Sequence, residues 1–275
     1  LIQAFARVPR EKFMGPAPWQ VASAEMASMP FMGLKGGGYL TTEDARDVYH
    51  NVLVALDAER HLNNGQPSAL ARWIDALELK PGDSVYHLGC GVGYYTAIMA
   101  EVVGTRGRVA ASEVDPTLAG RARENLATYP SASVYTGDGA TFDPGICDAM
   151  LINAGVTHPH PLWLTRLSAG GRIVVPLTSA MGTAIGGTGV VAKITRRGNG
   201  FAAEVVSFVG IYSCTSLRDP ELNTALAKAL ATKALLKLTS LRTDPHEQVE
   251  TCLAHSASMC LSSADPALTL SSPAD

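Results

Sequence analysis

Residues 84–96, Ser-Val-Tyr-His-Leu-Gly-Cys-Gly-Val-Gly-Tyr-Tyr-Thr, constrain this chain more than any other stretch. Val85, Tyr86 and Leu88 suit a short buried strand. Tyr94 to Val103 carries a helical apolar pattern, and Gly104 stands where a helix C-cap glycine belongs. Between strand and helix, Gly89, Gly91 and Gly93 alternate. Glycines so placed let the backbone pass close to a bulky polar or anionic group. Taken alone, the turn also reads as a tight connection that binds nothing.

Strand and helix patterns alternate on both sides of it. Pro67 opens a helix with Leu70, Trp73, Ile74 and Leu77 at i, i+3, i+4 and i+7. Arg108–Ser112 reads as a second strand, and Asp115-Pro116 as the N-cap and N1 of a helix carrying Leu118, Ala122 and Leu126. Ser133–Thr136 is a third strand, Asp148–Ile152 a fourth, Leu162–Leu167 a short helix and Arg172–Val175 a fifth strand. Val190–Thr195 and Phe201–Tyr212 read as an antiparallel hairpin. The fold expected is therefore α/β: a doubly wound, mostly parallel, seven-stranded Rossmann-like sheet, an antiparallel hairpin at one edge and a C-terminal helical extension. Three parts follow. Residues 1–66 hold a helix ending at Pro9, loops, and an extended run from Val48 to Leu56 that turns back as a hairpin. Residues 67–213 are the nucleotide-type domain, and 214–275 the extension, with a helix over Pro220–Leu238 and a frayed Ser/Pro/Ala tail.

A net charge of −3 argues against broad capture of nucleic acid, and no apolar run is long enough to span a bilayer. The first residues lack a signal-peptide pattern. Cys90, Cys147, Cys214, Cys252 and Cys260 are odd in number and have no CxxC spacing. Reduced cytoplasmic thiols and no metal site are the expectation.

A dinucleotide site asks for G-x-G-x-x-G. Here the third glycine comes one position early, and Tyr94 stands where that pattern needs glycine. G-x-G-x-G suits a nucleoside ligand with no pyrophosphate to cradle, the pattern of S-adenosylmethionine-dependent methyltransferases. Glu113, at the end of the second strand, can accept both ribose hydroxyls. Asp138, in Gly-Asp-Gly at the end of the third, can accept from the adenine amino group. A solvated strand end and an ordinary turn aspartate are the plain alternatives.

Several further segments resemble the protein-L-isoaspartate O-methyltransferases, over roughly residues 1–212. Val8-Pro9-Arg10-Glu11-Lys12-Phe13 is similar to that family's opening signature, and Gln66-Pro67 to the end of its Ser-Gln-Pro substrate loop. Leu88–Tyr94 resembles its glycine loop, Gly107–Glu113 its second strand, Thr136–Gly139 its Gly-Asp-Gly segment, and Gly170–Pro176 its Gly-Gly-Arg segment. The resemblance implies transfer of a methyl group from S-adenosylmethionine to the abnormal carboxylate of isoaspartyl residues in proteins or peptides. It implies a cofactor set of His87, Gly89, Cys90, Gly91, Gly93, Glu113, Asp138, Gly139 and Asn153, and substrate positioning by Asn64, Gly65 and Gln66. This chain departs from the pattern at Gly65, where the family carries serine, and at His87, where it carries an acid.

A carboxylate nucleophile is ionised at neutral pH and needs no base. A hydroxyl or amine acceptor would need one, and His158 and His160 are the candidates beside the reading of both as surface loop residues. Asn153 is not followed by Pro-Pro-Tyr, so the amino-methylating motif is absent. Tyr94 and Tyr95 read as cofactor shields or core residues, and Trp19, Met26, Met29 and Met32 as a lid or a packed loop. Cys90 reads as a small filler. Competing functions are a methyltransferase for a small molecule or modified peptide, a non-catalytic S-adenosylmethionine-binding module, and a nicotinamide-dependent oxidoreductase, which the glycine spacing disfavours. For residues 213–275 the readings are a homodimerisation arm or a stabilising cap.

Overall fold

The structure is a computed structural model and describes residues 1–23, 38–180, 186–257 and 259–266. It divides into two compact units, Leu1–Phe142 and Asp143–Asp275.

In the first unit, α1 (Ile2–Arg7) stops before Pro9 and α2 (Arg10–Phe13) follows it. β1 (Trp19–Ala22) pairs antiparallel with β2 (Tyr39–Thr42). The run expected to be extended from Val48 instead begins with the end of a helical turn, α3 (Ala45–Val48). Asp44 forms it locally, its side chain accepting from the Arg46 N–H as an N-cap. The expected hairpin is present as β3 (Ala55–Asp57) and β4 (Leu62–Asn63). In α4 (Pro67–Ala76), Pro67 sits in the first turn and the buried face is Leu70, Trp73 and Ile74. Burying each such side chain is worth roughly 1.5–3 kcal/mol relative to exposure.

The core of this unit is β5 (Ser84–Leu88), α5 (Tyr94–Val103), β6 (Arg108–Glu113), α6 (Pro116–Asn125) and β7 (Ala132–Thr136). β5 and β7 pair parallel to either side of β6. Leu88 lies opposite Ser112 and Glu113 opposite Thr136, so the three strands end at one level. Asp115 caps α6 by accepting from the Thr117 and Leu118 N–H groups, with Pro116 behind it, as the sequence predicts. α5 is buried on nearly every side, from Tyr94 through Ala100 and again at Val103.

In the second unit, β8 (Cys147–Ile152) is followed by α7 (Pro161–Arg166) and β9 (Leu167–Ala180), which pairs parallel with it. β9 extends well beyond the predicted Arg172–Val175. β10 (Gly186–Arg197) pairs antiparallel with β9 and forms the expected hairpin with β11 (Gly200–Tyr212). The extension does not stay helical. After α8 (Pro220–Ala231) and a single 3-10 turn (Ala234–Lys237) it forms three strands, β12 (Ser240–Arg242), β13 (Cys252–His255) and β14 (Cys260–Ser262). β12 adds to β11, β14 to β12 and β13 to β14, all antiparallel. Apolar runs as short as Cys260-Leu261 carry no clear period, so the strands that replace the expected helical extension leave no signal in the sequence. Among the described residues, no helix is long and apolar enough to cross a membrane.

Candidate active site

The glycine turn grows directly from the parallel register of β5 and β6. The Gly89 and Cys90 N–H groups both donate to the Ser112 carbonyl, at 2.9 and 3.1 Å. Gly89, Gly91 and Gly93 take φ of +75°, +56° and +89°, a region that penalises any side chain. Gly93 also lacks room, since a Cβ there would sit 2.9 Å from Leu126 Cδ1. Glu113 supports the turn from below. Its Oε2 accepts from the Gly91 N–H at 2.8 Å and its Oε1 from the Asp115 N–H at 3.1 Å. The residue is only 8% exposed. Burial raises its pKa, while the bonds from Asp115 and Gly91 pull the other way.

One strand further, Asp138 and Gly139 follow β7. Asp138 Oδ1 accepts from the Ala140 N–H at 2.9 Å. Gly139 is a packing requirement, because a Cβ there would lie 2.4 Å from Ser112 Oγ and 2.6 Å from the Tyr86 hydroxyl. Tyr86 donates to the Gly139 carbonyl at 2.8 Å and stands 2.8 Å from Ser112 Oγ. Tyr86 and Ser112 therefore hold the Gly-Asp-Gly segment against β5 and β6. Both read as plain strand residues in the sequence.

Two residues assigned to the cofactor set, His87 in β5 and Cys90 in the turn, behave differently from the rest. His87 is fully buried. Its Nδ1 is 2.8 Å from Thr96 Oγ1, and its Nε2 is buried with no hydrogen-bond partner. Burial pulls its pKa down to about 3, so the imidazole is neutral at physiological pH. It supplies no negative charge in place of an acid. Cys90 packs with Ala111 and Ala122, and burial pushes its thiol pKa far up. It fills space, as expected.

The segment Asn64–Gln66 is held by Arg10, which the sequence places in the opening signature without a role at the site. Arg10 is 1% exposed and has no carboxylate among its bonded partners. Its guanidinium donates to the carbonyls of Val48, His50 and Val52, to Asn64 Oδ1 at 2.9 Å and, at 3.4 Å, to the Gly65 carbonyl. It also lies 5.9 Å from the centre of the Tyr94 ring. Asn64 Oδ1 takes a second bond, from the Val54 N–H. The Asn64 amide oxygen, expected to face a substrate, is therefore occupied inside the protein. Gly65 has φ +76°, and a Cβ there would meet Leu70 Cδ2 at 2.8 Å. The backbone itself asks for glycine where serine was the family expectation. Gln66 is half-buried, and its amide donates to the Asn51 carbonyl at 3.4 Å. Tyr95 ties the loop to α5 by donating to the Gly65 carbonyl at 3.2 Å. Tyr94 and Tyr95 pack edge-on against each other and against Phe5, and Tyr94 also against Phe13, so core packing is their role here.

Trp19 lies in β1 and donates to the Gly15 carbonyl. Met26, Met29 and Met32 lie outside the described residues. In the second unit, Asn153 directly follows β8 and is half-buried. His160 is the N-cap of α7, its Nδ1 accepting from the Leu162 N–H at 3.1 Å. That lone pair is spent on the helix, which weighs against a base role. The sequence signal was there, because His160-Pro161 has the N-cap and N1 spacing of Asp115-Pro116. His158 Nδ1 is 2.9 Å from Thr157 Oγ1, and burial lowers its pKa.

Known proteins share this chain's sequence pattern and fold. The family model described as protein-L-isoaspartate(D-aspartate) O-methyltransferase matches residues 31–200. The protein-L-isoaspartate O-methyltransferase of Ignicoccus hospitalis is 37% identical over 120 residues, covering 42% of this chain and 57% of that protein. Protein-L-isoaspartate O-methyltransferase 1 of Archaeoglobus fulgidus is 33% identical over 163 residues, covering 56% of this chain and 71% of that protein. A solved protein-L-isoaspartate O-methyltransferase superposes with a TM-score of 0.59 at 20% identity, over 90% of this chain and 67% of that one, which shows a shared fold. With a family match across 170 consecutive positions that contain the glycine turn, Glu113 and Asp138, the chain belongs to the protein-L-isoaspartate O-methyltransferase family, on its Rossmann-like α/β fold.

Proposed function

We propose that this chain binds S-adenosylmethionine on its first unit and methylates the carboxylate of isoaspartyl residues in a protein or peptide. The observation that carries the reading is the Glu113 carboxylate, buried beneath the glycine turn at the end of its strand, with Asp138 two residues past the end of the adjacent parallel strand. Ligands of open α/β sheets bind at these carboxyl ends of the strands. The residues fit the cofactor. Gly89, Gly91 and Gly93 would bring backbone close to it, Glu113 would accept the ribose hydroxyls, and Asp138 and Gly139 would meet the adenine. Cys90 lines the turn from its core side, and Asn153 is assigned to the cofactor on the family resemblance. When bound, S-adenosylmethionine supplies a methyl group on a positively charged sulfur.

The chain's own contribution is positioning. A carboxylate acceptor arrives ionised, so no side chain need take a proton from it. What remains is alignment and exclusion of water. The loop of Asn64, Gly65 and Gln66 contributes through backbone groups and the Gln66 amide, since the Asn64 oxygen is bound by Arg10 and Val54. Incubation with an isoaspartyl peptide and radiolabelled S-adenosylmethionine tests this. A base-labile methyl ester on the peptide supports it, and cofactor binding with no transfer refutes it.

A second reading rests on Gly65. With the loop built around glycine, the family hydroxyl is absent, which favours a modified peptide or small molecule bearing a related carboxylate. The same transfer assay on such acceptors separates the two. Residence in a reducing cytoplasm belongs to the same proposal and is supported by five unbridged cysteines. Homodimerisation belongs to it as well, and light scattering on the purified chain tests that part.

A further inference from the structure

The C-terminal strands gather four side chains that the methyl-transfer reading does not use. β13 and β14 pair so that His255 stands opposite Cys260, with Cys252 three residues earlier on β13. His246 lies on the segment leading into β13. One nitrogen from each histidine and both sulfurs lie within 4.8 Å of one another. Cys252 Sγ is 3.7 Å from His246 Nε2, and the two imidazole rings are 4.8 Å apart.

The surroundings orient these atoms inward. His246 Nδ1 is 2.8 Å from the Asp244 carbonyl, which fixes the ring and leaves Nε2 toward Cys252. A ligating imidazole is commonly held this way through its other nitrogen. The Val249 N–H donates to Cys252 Sγ at 3.4 Å, which fixes the position of the sulfur. His255 Nδ1 is buried with no hydrogen-bond partner. Buried polar atoms are rarely left unpaired, so this nitrogen asks for a ligand.

We propose that His246, Cys252, His255 and Cys260 bind one zinc ion in a closed tetrahedral site. Two thiolates and two imidazoles are a structural zinc donor set. Zinc–sulfur bonds of about 2.3 Å and zinc–nitrogen bonds of about 2.0–2.1 Å imply ligand–ligand edges of roughly 3.3–3.8 Å. The His246–Cys252 separation already falls there, and the widest separation needs a contraction of about 1 Å. Binding displaces one proton from each thiol, the imidazoles bind neutral, and no oxidation state changes. Four protein ligands leave no open position, so the ion clips β13 to β14 and does no chemistry. The cysteine spacing alone suggested no metal, because the site is built from strand register and interleaved histidines.

The full chain, purified in reductant without chelator, should carry about one zinc per chain by elemental analysis. Replacement by cobalt should give thiolate-to-cobalt charge transfer and tetrahedral d–d bands that zinc abolishes. Cys252→Ser and Cys260→Ser should lose the bands, whereas His255→Cys should keep a modified spectrum, and Cys214→Ser should match the parent. The last two guard against a result caused by unfolding. A chain folded by circular dichroism that takes up neither zinc nor cobalt overturns the proposal. So does a Cys252–Cys260 disulfide in chain expressed in a cytoplasm and alkylated at lysis.

Discussion

Glu113→Gln separates two jobs of one side chain. In the folded protein the carboxylate accepts from the Gly91 and Asp115 N–H groups, and in the proposed complex it also accepts the ribose hydroxyls. Glutamine keeps the length and one acceptor oxygen but turns the other oxygen into a donor. Hydrogen bonds to a charged acceptor are worth about 1.5–3 kcal/mol each. Losing one net bond to the ribose should weaken binding of S-adenosylhomocysteine roughly tenfold to 150-fold, read by calorimetry. Stability should respond differently. Burial holds the folded Glu113 pKa above its unfolded value, so the folded chain keeps this proton longer. Wild-type stability therefore falls as pH rises through the window between those two values, by at most about 1.4 kcal/mol per pH unit. Glu113→Gln lacks that slope, and denaturant melts at several acidic pH values would show its curve flatter than wild type. At pH 7 the relief of a buried charge is offset by the new amide facing an N–H. Wild-type affinity for S-adenosylhomocysteine in the variant would refute the ribose assignment. An unchanged pH slope would refute the burial argument.

Arg10→Met should strip donors from the Val48, His50 and Val52 carbonyls and from Asn64 Oδ1. Offset by relief of a buried charge, the loss should be about 2–4 kcal/mol, and an unchanged melting temperature would contradict the organising role. Restoring the family serine with Gly65→Ser should cost about 1–2 kcal/mol from the left-handed backbone, with contact on Leu70 added, and should not raise transfer to an isoaspartyl peptide. A faster enzyme would sink that expectation. His87 has a folded pKa near 3, below its unfolded value, so its contribution is present above about pH 6.5 and is lost as pH falls toward 3. His87→Leu should lose less stability than wild type over that interval in acid titrations followed by circular dichroism.

Much of the candidate site's backbone was legible because its signals are local. Alternating glycines, an acid closing each of two strands, and the Asp115-Pro116 cap all act within a few residues. Short-range sterics and capping fixed the strand–turn–helix, and the parallel register then set Glu113 beside Thr136, two residues before Asp138, without further instruction. Where the sequence misled, the deciding partners were distant. Arg10 meets its carbonyls 38 to 55 positions away, which no periodicity encodes, and that contact takes the Asn64 oxygen for the protein's interior. His87 sits where the family carries an acid, and only its complete burial, which the sequence does not show, holds its pKa down to about 3. The clustering of His246, Cys252, His255 and Cys260 depends on how β13 lies on β14. A one-residue slip there would send alternate side chains to the opposite face. Residue type and spacing determined which chemistry the chain carries, while long-range packing decided which of those groups stay available for it.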